Sequence, residues 1–146
     1  MELTLLAVMP GLLIWVAILL LPWRPWNTRE SLDSQSAENQ DLSDVTVLIP
    51  ARDESETITQ TLTALKEQGH GLQVILVDDQ STDNTAELAK SVELENLKIV
   101  PGTTLAEGWS GKLWALEQGR QHIKTPFLLL LDADIVLMPN LIPTLL

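Results

Sequence analysis

The chain has 146 residues, of which 45% are hydrophobic, with 20 Asp and Glu against 9 Lys and Arg and no cysteine. A formal charge of −11 argues against a nucleic-acid partner, because phosphate contacts require clustered Lys and Arg. The missing thiols exclude a disulfide framework, a thiolate metal site and a Cys nucleophile.

Residues 3–21, LTLLAVMPGLLIWVAILLL, carry no charge and would extend about 28 Å as a helix, close to the thickness of one bilayer core. The expectation is a single-pass transmembrane anchor, with Pro10-Gly11 kinking or interrupting it. A cleaved signal peptide is the poorer reading, since no basic segment precedes the run and no small-x-small site follows it; a buried core helix is the other alternative. Trp23 and Trp26 suit the headgroup zone, and Arg24 and Arg29 follow the span while Glu2 precedes it, so the positive-inside rule places the following domain in the cytoplasm. Residues 27–44, NTRESLDSQSAENQDLSD, are polar, Ser-rich and acidic, the composition of a flexible linker.

From residue 45 the pattern becomes regular. VTVLIP (45–50) reads as a strand, ITQTLTALKEQG as a helix with Ile58, Leu62 and Leu65 on one face, and LQVILV as a second strand. NTAELAKSV supplies a second helix with a capping-box-like Asn84 and Glu87, LKIV a third strand, KLWALEQGRQHI a third helix and FLLLL a fourth strand. Apolar strands alternating with helices predict an α/β domain over 45–146 with a mostly parallel sheet covered on both faces.

The polar motifs then fall at the carboxyl ends of the strands: PARDESE after the first, DDQSTDN after the second, PGTT after the third and DAD after the fourth. In open α/β sheets that edge binds ligands. Asp132 and Asp134, two positions apart in an extended segment, point the same way and can converge on one ion, and a pair of hard oxygen ligands without His or Cys suits Mg²⁺ or Mn²⁺ bridging to a diphosphate. GWSGK adds two glycines, a helix start and Lys112, an anion-binding combination. It is not a Walker A loop, because Ala106 and Leu113 stand where Gly and Ser or Thr are needed. Each motif has a plainer reading: the D-x-D as a turn, Asp78-Asp79 as a turn opener with Ser81 or Asp83 capping a helix, PARDESE as an acidic helix start, Lys112 as solvated. Their coincidence along one edge favours a binding site. His70 and His122 lack ligand spacing and read as surface residues.

The order VLIPARDE, VILVDDQSTDNTAELA, GWSGKLWAL and LLLLDADI resembles the family 2 glycosyltransferases of the GT-A fold. PGTTLAEGWSGKLWAL after a hydrophobic N-terminus is most similar to their hopene-associated branch. The resemblance covers residues 45–146 and implies nucleotide contacts from Pro50, Ala51 and Glu54, a base or ribose contact from Asp79, a diphosphate-side contact from Lys112, and ribose, diphosphate and metal contacts from Asp132 and Asp134. Arg52, Asp78 and Ser81, in the same loops, complete the nucleotide-sugar set. Asp53 stands where many relatives carry Asn.

The resemblance further implies inverting, metal-assisted transfer of a sugar to a lipid acceptor, a hopanoid among the candidates. Only 12 residues follow Asp134, so the acceptor half and its catalytic base are expected beyond Leu146, and the chain reads as the donor-binding half. A nucleotidyltransferase is the rival enzyme class, disfavoured because IPARDESE lacks a Gly-rich basic loop. A non-catalytic membrane-anchored binding fragment is the other rival.

Overall fold

The structure, a computed structural model, describes residues 2–21 and 40–146, the side chains of residues 2–8 excepted. The chain divides into two units, Met1–Leu32 and Asp33–Leu146.

In the first unit the apolar run forms helix α1 (Glu2–Leu20), with Pro10 inside it. Leu12, Leu13, Ile14, Trp15 and Leu19 are exposed. Among the described residues no helix is long and apolar enough to cross a membrane; the side chains of residues 3–8 of the expected span lie outside the described residues. Trp23, Arg24, Trp26, Arg29 and residues 27–39 of the expected linker lie outside the described residues.

In the second unit the predicted alternation is realised as β1 (Val45–Ala51), α2 (Ile58–Lys66), β2 (Gln73–Asp78), α3 (Thr85–Ser91), β3 (Leu97–Pro101), α4 (Gly111–Arg120) and β4 (Phe127–Leu130), with a short α5 (Leu141–Leu145) that the sequence reading did not include. The four strands pair in the order β3-β2-β1-β4, all parallel. Side-chain alternation along β1 and β2 sends one set to each face. Val47, Ile49, Val74 and Leu76 meet Ile58, Leu62 and Leu65 of α2 and Ala89 of α3. Leu48, Ile75 and Val77 meet Ala115 and Leu116 of α4. The sheet therefore lies between α2 and α3 on one side and α4 on the other.

Gly119 sets how closely α4 lies on the sheet. A Cβ at that position would collide with Leu48 Cδ1 and stand 2.8 Å from Val77 Cγ2, so only glycine lets the helix backbone rest on those two side chains.

Three local expectations are corrected. The end of the expected linker is part of the fold: Leu42 is fully buried, and the Asp41 segment pairs with His70. The Asn84 cap donates or accepts no side-chain bond; Asp83, one residue earlier, takes the Thr85 amide instead at 3.0 Å. β4 is not covered on both faces. Among the described residues it pairs only with β1, at the sheet's edge, and Phe127, Leu128 and Leu130 are exposed.

Candidate nucleotide-sugar site

The loops after β1 and β2 are joined to each other before they meet any ligand. Asp53 occupies the left-handed region (φ 55°). Its amide donates to Ser81 Oγ at 3.0 Å, and its carboxylate accepts from the Thr82 amide at 2.7 Å and the Thr82 hydroxyl at 3.1 Å. The Glu54 amide donates to Thr85 Oγ1 at 2.9 Å. Asp83 accepts from the Thr85 hydroxyl, and also from the Thr85 amide and the Ser55 amide, the latter at 3.1 Å. These bonds, the Thr85 hydroxyl first, hold the Asp83 carboxyl down at about 2, because donors to the ionised form favour it. Asp78 accepts from the Ser81 amide at 3.1 Å.

Past these loops a cavity of about 340 Å³ opens at the carboxyl edge of the sheet, lined by Pro50, Ala51, Arg52, Glu54, Asp79, Gly111, Lys112, Ala115, Asp132, Ala133 and Asp134. Eight of the ten residues expected from sequence, namely Pro50, Ala51, Arg52, Glu54, Asp79, Lys112, Asp132 and Asp134, are thus brought together. Asp78 and Ser81 are not among the lining residues; they build the turn beneath it.

Asp79 is 8% exposed, boxed by glycine backbone. A Cβ at Gly102 would meet Asp79 Cα at 2.8 Å, and one at Gly111 would meet Asp79 Oδ2 at 3.4 Å. Arg52 Nη1 stands 3.7 Å from the same carboxylate. Lys112 reaches from the first turn of α4 to Asp132 Oδ1 at 2.7 Å, with both side chains more than half exposed. A pair so solvated contributes little to stability, so a ligand can part it at small cost.

The D-A-D segment is a turn rather than the extended stretch expected, because the Ile135 amide bonds back to the Asp132 carbonyl at 3.2 Å. Ala133 is buried between its two exposed neighbours. Its carbonyl accepts from the fully buried Thr61 hydroxyl of α2 at 2.8 Å. Seven residues further on, just past the end of α2, buried Gln68 donates to the Met138 carbonyl at 2.9 Å and accepts from the Ile142 amide at 3.0 Å. Thr61 and Gln68 were not singled out from sequence. Thr61 lies within α2 and Gln68 just past its end, in a stretch where polar residues are frequent, so nothing in the sequence sets either apart.

Two cations and four carboxylates line the cavity, an excess of negative charge that would repel a diphosphate. A divalent cation would cancel that excess. No cluster of three or more His, Cys, Asp or Glu set to hold an ion occurs among the described residues, yet Mg²⁺-type sites commonly use one or two carboxylates completed by water and substrate phosphates. Asp132 and Asp134 fit that pattern.

A parallel sheet with cations, carboxylates and a helix N-terminus converging at its carboxyl edge is the arrangement of an α/β protein of the GT-A kind. Residues 46–146 match Glycosyl transferase family 2, and the chain belongs to that family. It is 31% identical over 111 residues to an undecaprenyl-phosphate 4-deoxy-4-formamido-L-arabinose transferase of Shewanella sediminis, covering 73% of this chain and 33% of that protein. It is 29% identical over 100 residues to a 4,4'-diaponeurosporenoate glycosyltransferase of Staphylococcus haemolyticus, covering 68% of this chain and 26% of that one. The fold aligns with a mannosyltransferase from Pyrobaculum calidifontis in complex with GDP-Man and Mn²⁺, at TM-score 0.58 and 26% identity, over 69% of this chain and 30% of the other. The chain therefore spans about a quarter to a third of the proteins it matches.

Proposed function

We propose that this chain supplies the donor-binding part of a glycosyltransferase that moves a sugar, with inversion, from a nucleoside-diphosphate sugar to a lipid acceptor. The observation that carries the reading is the cavity in which Arg52, Lys112, Asp79, Asp132 and Asp134 meet. Asp79, low in the cavity beside Gly102 and Gly111, takes the ribose or base. Arg52 and Lys112 neutralise phosphate oxygens, and the first amides of α4 add donors where the helix dipole favours negative charge. Asp132 and Asp134 would hold Mg²⁺ or Mn²⁺, which when bound supplies charge neutralisation to the departing diphosphate. Accepting a phosphate separates Lys112 from Asp132 and frees that carboxylate to turn toward the ion.

The acceptor's general base must come from elsewhere, because Asp53, Asp78 and Asp83 already accept backbone bonds. We assign it to the additional length that the relatives possess. The two curated relatives carry lipid-linked names, which supports a lipid acceptor, and the sequence resemblance makes a hopanoid the particular candidate. The exposed apolar side chains of α1 support attachment of the chain to a membrane, with the cavity on the cytoplasmic side. Protease added to intact cells should then leave residues 45–146 uncut, and cleavage from outside would overturn that placement.

The reading is tested by calorimetric titration of the chain with GDP-mannose and UDP-glucose, in Mn²⁺ and in chelator. Saturable binding that requires the metal is expected for at least one donor. Equal affinity in chelator would remove the metal from the proposal, and no binding to any sugar nucleotide would remove the donor role.

A further inference from the structure

At the opposite end of the sheet, where the chain enters β1, lies a second cavity of about 270 Å³ lined by residues that include Lys98, His122, Lys124, Gln73, Asn96 and Ser43. Its charge is opposite to that of the chain as a whole. No carboxylate lines it, although acids outnumber bases by 20 to 9, and among the described residues neither Lys98 nor Lys124 forms an ion pair. Arg52, Lys112 and Arg120, by contrast, are each paired with an acid.

The hydrogen bonding leaves this cavity rich in donors. Lys98 Nζ stands 2.9 Å from His122 Nδ1. An ammonium can only donate, so Nδ1 accepts and Nε2 carries the imidazole hydrogen. Lys98 retains two further N–H bonds and Lys124 has three. The hydroxyls at the cavity's inner side are already used: Thr125 stands 3.0 Å from the Phe127 carbonyl, to which it donates, and 2.6 Å from the Thr46 hydroxyl. Two ammonium groups and an imidazole N–H, gathered without a counter-charge, repel one another, and an oxyanion with several acceptor oxygens relieves that repulsion. The carboxyl end of α4 also lies here and favours cations, but neither lysine is hydrogen-bonded to its last carbonyls among the described residues.

We propose that this cavity binds a phosphate group, as the free ion or as the head of a phosphomonoester lipid, at a site separate from the donor cavity and independent of the sugar-transfer reading. The test uses the full chain in neutral detergent, without divalent metal or sugar nucleotide. Inorganic phosphate is titrated calorimetrically against wild type, Lys98→Gln/Lys124→Gln and Lys90→Gln, the last a lysine that lines neither cavity. The double variant should bind about tenfold or more weakly, while Lys90→Gln should match wild type; circular dichroism confirms that both fold. Flotation with phosphatidylcholine vesicles, with and without phosphatidic acid, distinguishes the sources. A phosphatidic-acid-dependent gain lost in the double variant identifies the lipid head, and phosphate binding without that gain identifies the free ion. If neither probe separates wild type from the double variant, or if Lys90→Gln weakens phosphate binding as much as the double variant does, the site does not exist.

Discussion

Two stretches at the carboxyl edge of the sheet both carry acids and are held in opposite ways. The loops after β1 and β2 staple each other, with Asp53, Asp78 and Asp83 spent on backbone amides. The turn after β4 is held from outside, by Thr61 of α2 and by Gln68 just past that helix, through main-chain groups, and its carboxylates are left facing the cavity. An aspartate that already accepts amide bonds has lost its best reason to bind a ligand. One whose backbone is fixed by a neighbour keeps its side chain available. Sequence position alone cannot separate the two kinds.

The sharpest way to break this contrast is at the turn. Asp134→Asn keeps the shape and removes a charge, so Mn²⁺-dependent donor affinity should fall about a hundredfold, at the upper end of losses seen around metal sites. An unchanged dissociation constant by calorimetry would place Asp134 with the structural acids. Next in size is Thr61→Val, which leaves the buried Ala133 carbonyl unpaired. It should cost about 1–3 kcal/mol in chemical denaturation and weaken Mn²⁺-dependent donor binding about tenfold. Thr61→Ser, which retains the hydroxyl, should recover most of the binding. Loss of stability without loss of affinity would show that the turn needs no external support.

The stapled loops are tested by pH. The Asp83 carboxyl is depressed from 3.8 to about 2, chiefly by the Thr85 hydroxyl. A depressed acid stabilises the fold above its unfolded value and ceases to do so as pH falls through its folded value. The melting temperature of wild type should therefore drop between about pH 4 and pH 2 more steeply than that of Asp83→Asn, while metal-dependent donor binding at neutral pH stays within about twofold in the variant. The smallest effect is expected at Asp53→Asn. Asn tolerates the left-handed backbone and can still accept from Thr82, so stability should change by no more than about 0.5 kcal/mol; a large loss would mean that the charge itself is needed.

The sequence made the sheet legible because burial on two faces leaves continuous apolar runs, and it placed the acids because each follows such a run. It could not show which acids were spent, since Asp53 and Ser81 meet across 28 residues of chain. Nor could it reveal Thr61, whose function depends on a carbonyl 72 residues away. FLLLL read as a covered strand because its composition carries no record of being at the edge. The Asn84 cap failed for a local reason: Asp83 competes for the same first-turn amides.

Gly119 has a consequence that reaches beyond packing. It and Lys112 lie on one rigid helix, seven residues or about 10 Å apart, so α4 acts as a lever with its bearing point against Leu48 and Val77. A methyl group added at Gly119, or removed from either bearing residue, would tilt the far end and change the width of the cavity without altering any residue that lines it. Donor preference can therefore drift through core substitutions remote from the ligand, a route by which proteins of this kind can diverge in the sugars they accept while their motif residues stay the same.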